Sequence, residues 1–315
     1  MIGERNRAHL PQGVTPDMFR KLDKDDRRDE KIVRESLSSW KDAWLRLRSN
    51  RLAMTGLVIL ILLGIMAIFG QMMTPYNYYA NDLQNTNQPP SAAHWFGTDD
   101  LGRDMFARTW MGASISLRVG LFAAAIDLLV GVVYGGIMGY FGGRVDEAMN
   151  RFSEILDSIP YLLIVILFVV VFEPSMYTII LALVVTGWIK MAWIVRGQVM
   201  LLKNHEYALA SRSLGAGFSR ILFRHLLPNA SGPIIVTLTL TVPQAIFAEA
   251  FLSFLGLGVN SPAASWGTMI SDSLSSWMYL PWRLFFPAVL ISLTMFAFNV
   301  FGDGLRDAFD PKMKK

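Results

Sequence analysis

Asn204-His205-Glu206-Tyr207-Ala208-Leu209-Ala210-Ser211-Arg212-Ser213-Leu214-Gly215, running on to Arg224-His225-Leu226-Leu227-Pro228-Asn229, is a polar interlude between long apolar segments. Its residues are suited to fold locally. Asn204 is a favourable N-cap, Glu206 suits the positive end of a helix dipole, and Gly215 is the residue with which a helix stops in a left-handed turn. From Phe218 the apolar positions Phe218, Ile221, Leu222 and Leu226 recur at helical spacing beside Arg220 and Arg224, until Pro228 is expected to end the run. The pattern predicts two short amphipathic helices joined at a glycine, a part built to dock onto something. Lys203, placed before the cap, is expected to contribute little.

The segments around this interlude are those of a membrane protein. Of 315 residues, 53% are hydrophobic and 17% charged, and the mean hydropathy is +0.37, too apolar for an ordinary soluble chain of this length. A helix needs about 20 mostly apolar residues to cross the hydrocarbon core. Six stretches qualify: Leu52 to Met73, Ile115 to Phe141, Ile155 to Phe172, Met176 to Val195, Ile234 to Leu257 and Leu284 to Phe301. The second is long enough to tilt or protrude, and the third and fourth form a hairpin across Glu173-Pro174-Ser175. The expected organisation is a cytoplasmic tail over 1–51, a six-span domain over 52–302 and a cytoplasmic tail over 303–315.

Charge sets the expected orientation. The chain carries 29 Lys and Arg against 25 Asp and Glu, a net charge of +4, and residues 1–51 account for the excess with 13 basic and 9 acidic residues. With both termini inside, the tails, the Gly142 to Ser153 loop and the Arg196 to Pro228 loop hold 24 of the 29 basic residues. The positive-inside rule is satisfied. The interleaved signs of Asp23 to Lys31 offer neither a single-sign stripe nor a stacking platform, so nucleic acid is not an expected partner; a solvated segment is.

Catalytic chemistry finds little footing. The chain has no cysteine, hence no disulfide, thiolate metal site or cysteine nucleophile. His9, His94, His205 and His225 all lie outside the apolar stretches, with no His-Glu-x-x-His pair and no Gly-x-Ser-x-Gly turn. Gly-x-x-x-x-Gly-Lys-Ser/Thr is also missing, so the chain is not the nucleotide-binding part of a P-loop motor, and any ATP chemistry would have to come from another subunit. No apolar core follows the first charges, and no cleaved leader is expected. The run Gly97-Thr98-Asp99-Asp100-Leu101-Gly102-Arg103-Asp104 lacks the alternating acids and final Glu of an EF-hand. It reads as the cap of a short helix from near Leu101, with a contact to another protein on the outside as its functional alternative.

Small residues recur every fourth position at Gly131, Gly135, Gly139 and Gly143, and at Gly112, Ser116, Gly120 and Ala124, the pattern that lets helix backbones approach closely. A partner helix is expected, in this chain or another. Arg118, Asp127, Lys190 and Glu249 are charged groups inside apolar stretches, where an ion costs a few kcal/mol or more. Arg118 and Lys190 are expected to snorkel. Asp127 and Glu249 are candidates for lining a translocation path, with a hydrogen bond between helices as the equal alternative.

The interlude resembles the cytoplasmic "EAA" loop of ABC-importer permeases. Aligned on Gly215, Leu227 and Pro228 take the final Leu-Pro, while Leu209 stands in the Glu position, Ser211 in the second Ala position and His225 in the Ile position. His94-Trp95-Phe96-Gly97-Thr98-Asp99-Asp100-Leu101-Gly102-Arg103-Asp104, Ser253-Phe254-Leu255-Gly256-Leu257-Gly258, Ala264-Ser265-Trp266-Gly267 and Gly302-Asp303-Gly304-Leu305-Arg306-Asp307-Ala308 are similar to the C-type permeases of oligopeptide and dipeptide importers. This resemblance implies an all-α, type I (MetI-like) permease of six transmembrane helices in a prokaryotic cytoplasmic membrane. It implies a homologous permease, two ABC ATPases and an extracytoplasmic peptide-binding protein as partners. No cofactor is implied in this chain, ATP and Mg being held by the ATPases. Glu206, Tyr207, Ala208, Leu209, Ala210, Ser211, Arg212, Gly215, Leu227 and Pro228 become the expected coupling residues. A permease for nickel or another small solute, and a gated channel, remain the alternatives.

Overall fold

The computed structural model describes residues 39–309, all helix and connection apart from an isolated bridge between Thr98 and Asp104. The chain divides into Met1–Lys41 and Asp42–Lys315. Of the first unit only Ser39–Lys41, the start of a helix, is described, and the charged run Asp23 to Lys31 lies outside the described residues. The helices are α1 (Ser39–Ser49), α2 (Arg51–Phe69, extended by a tight turn Gly70–Met73), α3 (Met105–Phe141), α4 (Gly143–Asp157), α5 (Tyr161–Phe172), α6 (Met176–Leu202), α7 (Glu206–Ser213), α8 (Phe218–Ile221), α9 (Leu227–Asn229), α10 (Ser231–Phe254), α11 (Trp266–Ser273) and α12 (Pro281–Phe309).

Caps read from local chemistry explain four of the starts. The Asn50 side chain accepts the Ala53 N–H at 3.2 Å and opens α2; Ser175 accepts from Thr178 at 3.1 Å and opens α6. Ser265 and Thr268 form a reciprocal capping box on α11. Asp104 accepts from Ala107 at 2.8 Å and opens α3 at Met105, ten residues before the expected Ile115. The short helix expected from Leu101 does not form. Gly97 and Gly102 take positive φ of 77° and 74° there, folding 97–104 into turns that deliver Asp104 to the long helix.

Among the described residues five helices, α2 with its turn, α3, α6, α10 and α12, are long and apolar enough to cross a membrane; α4 and α5 form a pair bent by 73°. The expected continuous span from Ile155 to Phe172 is therefore broken. Pro160 is the cause: it has no N–H to continue the ladder of α4 and disfavours helical geometry in Ile159 before it. The 12 residues of α5 cover about 18 Å, against about 30 Å of hydrocarbon. In place of the expected Gly142 to Ser153 loop stands amphipathic α4, with Asp146 and Ser153 buried. The boundary expected at 302 falls inside α12, which continues to Phe309, and within the expected N-terminal tail α1 packs Ala43 and Leu47 against Ala53 and Ala308.

α3 is the central element. The first glycine stripe finds its partner inside this chain: a Cβ on Gly131 would strike Met191 and the Trp188 carbonyl, one on Gly135 the Ala192 backbone, and one on Gly139 the Arg196 carbonyl and Val199. All belong to α6. Gly143 stands apart, in open space at the start of α4 with φ +52°. On the second stripe, Gly112 faces Trp266 of α11 and Gly120 faces Ile246 of α10. Small residues in α3 thus bring three helices to near backbone contact, as the spacing requires.

Candidate functional site

The 204–228 segment departs from its sequence reading at both ends and keeps it in the middle. α7 begins at Glu206 behind an extended His205 that makes no side-chain cap bond. Asn204 donates instead to the Met200 carbonyl at 3.4 Å. The expected N-cap is thus spent on the end of α6, because α6 runs to Leu202, and Asn204, two residues beyond, folds back onto its last turn. Gly215 is left-handed, φ +80°. Around it the Gly215 N–H meets the Arg212 carbonyl at 3.0 Å and the Ala216 N–H meets Ser211 at 3.1 Å, the paired bonds of a Schellman turn.

Pro228 does not end the second helix. After α8 the chain widens into a π turn over Leu222–Leu226, with the Leu227 N–H bonded to the Leu222 carbonyl. This wide turn takes up one extra residue, so Pro228, which has no N–H to offer, passes through α9 into α10. Ala208, Ile221, Leu222 and Leu226 are buried in one cluster with Met191, Val195 and Val199 of α6 and Ile234 of α10. The remaining candidates face outward. Glu206, Tyr207, Leu209, Ala210, Arg212, Gly215 and Pro228 are exposed, Ser211 and Leu227 half-buried. Leu214 is 88% exposed and Phe223 51%. Partial burial raises the Tyr207 phenol pKa above its usual value. The segment is an apolar root beneath an outward surface that mixes Leu209, Leu214 and Phe223 with Glu206 and Arg212.

Lys203, expected to contribute little, makes specific contacts here. Its Nζ donates to the Gly139 carbonyl at 2.8 Å and to the Tyr140 carbonyl at 3.2 Å, the unsatisfied last carbonyls of α3. Phe218 packs on Tyr140 and Phe141 with ring centroids 4.8 and 4.9 Å apart. Nearby, Arg196 of α6 grips Asp146 of α4 with two bonds of 2.5 and 2.7 Å. Tyr134 donates to the Met149 carbonyl at 2.8 Å and Trp193 to Asn150 at 3.1 Å. The sequence carried one signal for Lys203: a basic residue beside the end of a long helix suits the negative end of its dipole.

The two intramembrane acids have different surroundings. Glu249 is wholly buried between α10, α3 and α11, accepting from Ser116 Oγ at 2.9 Å and Ser253 Oγ at 2.7 Å. Ser116 belongs to the small-residue stripe, so that position supplies both a close approach and a donor. Asp127 is buried, and its Oδ1 has no hydrogen-bond partner among the described residues. It faces Gly187 of α6, where a Cβ would come within 2.8 Å of Oδ1. The structure does not bring the two acids into one cluster. Arg118 and Lys190 are exposed.

At the opposite end of α3, the 74–104 loop is held by a set of polar side-chain contacts, most of them buried. Asp99 pairs with Arg103 at 2.6 Å and Arg108 at 3.3 Å; His94 Nδ1 meets Asp104 at 2.8 Å; Arg283 reaches Asp100 at 3.1 Å and Asn87 at 3.2 Å.

Comparison with known proteins bears on this arrangement. Residues 131–315 match the family described as binding-protein-dependent transport system inner membrane component, and residues 38–90 match the N-terminal TM domain of oligopeptide transport permease C. The chain is 61% identical over 286 residues to the oligopeptide transport system permease protein OppC of Bacillus subtilis, covering 91% of this chain and 94% of the relative. It is 56% identical to the dipeptide transport system permease protein DppC of the same organism, over 95% of this chain and 94% of the relative. It is 42% identical to OppC of Escherichia coli K12, over 90% and 94%. Among solved structures, inward-facing MetNI methionine ABC transporter aligns with a TM-score of 0.50 at 20% identity, covering 64% of this chain and 94% of that one. At that identity the likeness is one of fold.

Proposed function

The chain belongs to the binding-protein-dependent transport system inner membrane components, and from that membership we propose that it is the C-type permease subunit of an ATP-driven importer of di- and oligopeptides. The observation that carries this is 61% identity to an oligopeptide permease along 91% of the chain. All three relatives named above are oligopeptide or dipeptide permeases, which favours peptide over nickel as the solute.

In this reading the chain pairs with a homologous permease to enclose the path, in the cytoplasmic membrane of a prokaryote. The 204–228 segment lies on the cytoplasmic side, where two ATPases holding ATP and Mg receive its exposed Leu209, Leu214, Phe223, Glu206 and Arg212. A peptide-binding protein docks on the side of the 74–104 loop. Closure of the ATPases on ATP moves the segment. Because its root is continuous with α6 and α10, that movement reaches the spans as displacement of a packed body rather than bending of a loop. Hydrolysis returns the path inward.

Reconstitution tests the proposal. The chain assembled with its partner permease and ATPases takes up radiolabelled peptide into liposomes with ATP, and the chain alone takes up none. Peptide flux through the isolated chain, indifferent to ATP, would establish a channel instead.

A further inference from the structure

The contacts at the two ends of α3 point to one further assignment: we propose that Lys203 is a positioning residue that fastens the 204–228 segment to α3, and that α3 carries the segment's movement along its length to the 74–104 loop. The inference rests on the reading of that segment as the ATPase-coupling part.

Four observations carry it. The first is that the segment is attached to the last turns of α3 from both sides of α7. Before α7, the Lys203 ammonium holds the Gly139 and Tyr140 carbonyls. After α7, the Phe218 ring sits on Tyr140 and Phe141, and Leu222 fills the space left by Gly136, where a Cβ would lie 3.1 Å from its methyl. The second concerns room. Gly142, the α3 C-cap, has φ +65°, and a Cβ there would come within 3.3 Å of Lys203 Nζ. The glycine both allows the turn and admits the cation.

The third is the stiffness of α3. It runs 37 residues without proline, about 55 Å. By contrast α4 and α5 are broken at Pro160, and α10 and α12 contain Pro243 and Pro287. The fourth is the far end, where the first turn of α3 is tied into the loop. Asp104 caps the helix and meets His94, the Met105 N–H bonds the Gly97 carbonyl at 3.0 Å, and Arg108 reaches Asp99. A shift or rotation imposed on the last turn of α3 meets no proline break along the helix, and its glycines at 131, 135 and 139 are braced against the backbone and side chains of α6. By linkage, a ligand that rearranges the 74–104 loop biases the 204–228 segment equally. Coupling of this kind is read as a change at one end on perturbing the other.

The native lack of cysteine supplies the assay. Leu83 is 72% exposed, and the neighbouring Asp82 N–H bonds the Leu101 carbonyl, so Leu83→Cys reports on the loop. In the full transporter in liposomes, its labelling rate by an impermeant maleimide is measured with and without ATP and vanadate. Cross-linking of Tyr207→Cys to an ATPase is measured in parallel. The expected result is a nucleotide-dependent labelling rate that is lost in Lys203→Met and restored in Lys203→Arg, while the Tyr207→Cys cross-link survives in Lys203→Met. A nucleotide-dependent rate unchanged in Lys203→Met, with the cross-link intact, overturns this inference and leaves the coupling reading standing. No cross-link in the chain that retains Lys203 overturns the coupling reading and this one with it. Should Lys203→Met fail to assemble, Phe218→Leu keeps the hydrophobic contact but removes the ring stack, and the same loss of nucleotide dependence is expected; its retention overturns the inference.

Discussion

Gly215→Val isolates one backbone angle. The glycine sits at φ +80°, and nothing lies within 4 Å of where its Cβ would be, so added bulk meets no neighbour and the whole cost is conformational. A left-handed residue with a Cβ costs about 1–2 kcal/mol, and a β-branched one belongs at the upper end. If the turn relaxes to escape this, it gives up the Gly215 to Arg212 and Ala216 to Ser211 bonds, each worth about 0.5–1.5 kcal/mol. Either way about 1–3 kcal/mol separates the variant from the native turn, enough to depopulate it by roughly tenfold where about 1.4 kcal/mol is a factor of ten. α7 is then re-aimed against α8, while the spans, which share no contact with this Cβ, insert as before.

Expected readings are a normal amount of chain in the membrane, weakened co-purification with the ATPases, and peptide uptake well below that of the unsubstituted transporter at equal ATP hydrolysis. Two controls sharpen it. Gly215→Asn, a residue tolerated in left-handed turns, retains most of the uptake. Gly217→Ala, in the same connection but at φ −72°, changes little. Normal coupling in Gly215→Val, or equal losses in Gly215→Val and Gly217→Ala, would refute the reasoning that the turn geometry matters.

Two further outcomes can be checked directly. Gly135→Leu forces a side chain into the Ala192 backbone, whose carbonyl carbon and Cα already lie 2.9 Å from the Cβ position; overpacking of this kind costs about 1–3 kcal/mol or more. It should lower the thermal unfolding midpoint of the purified transporter, whereas the same change at Gly197, with open space around it, should not. Single cysteines at Leu83 and Ser261 should react with an impermeant reagent from outside intact cells, and those at Arg151 and Tyr207 only after permeabilisation. Outside labelling at Arg151 would invert the orientation drawn from Lys and Arg bias.

What the sequence determined by itself is what depends on neighbours along the chain. Apolar run length marks α2, α6, α10 and α12 as spans, since the cost of lipid exposure is summed residue by residue. Gly215 marks its left-handed turn because the energy lies in its own φ. Glycine spacing announces a close helix contact, and the polar interlude between spans announces a surface segment. Tertiary structure alone decided which helix answers the stripe on α3: the partner, α6, begins 45 residues after Gly131, and a stripe of small residues specifies proximity without specifying a partner. It also decided that Pro228 continues while Pro160 breaks, because a π turn compensates the one and a bend of 73° resolves the other. Asn204 lost its cap to the longer reach of α6, and Lys203 acquired one, because the carbonyls it holds lie 64 and 63 residues away. Glu249 accepts from Ser116 across 133 residues. Such pairings follow from the packing of whole helices, and no local window of sequence contains both partners.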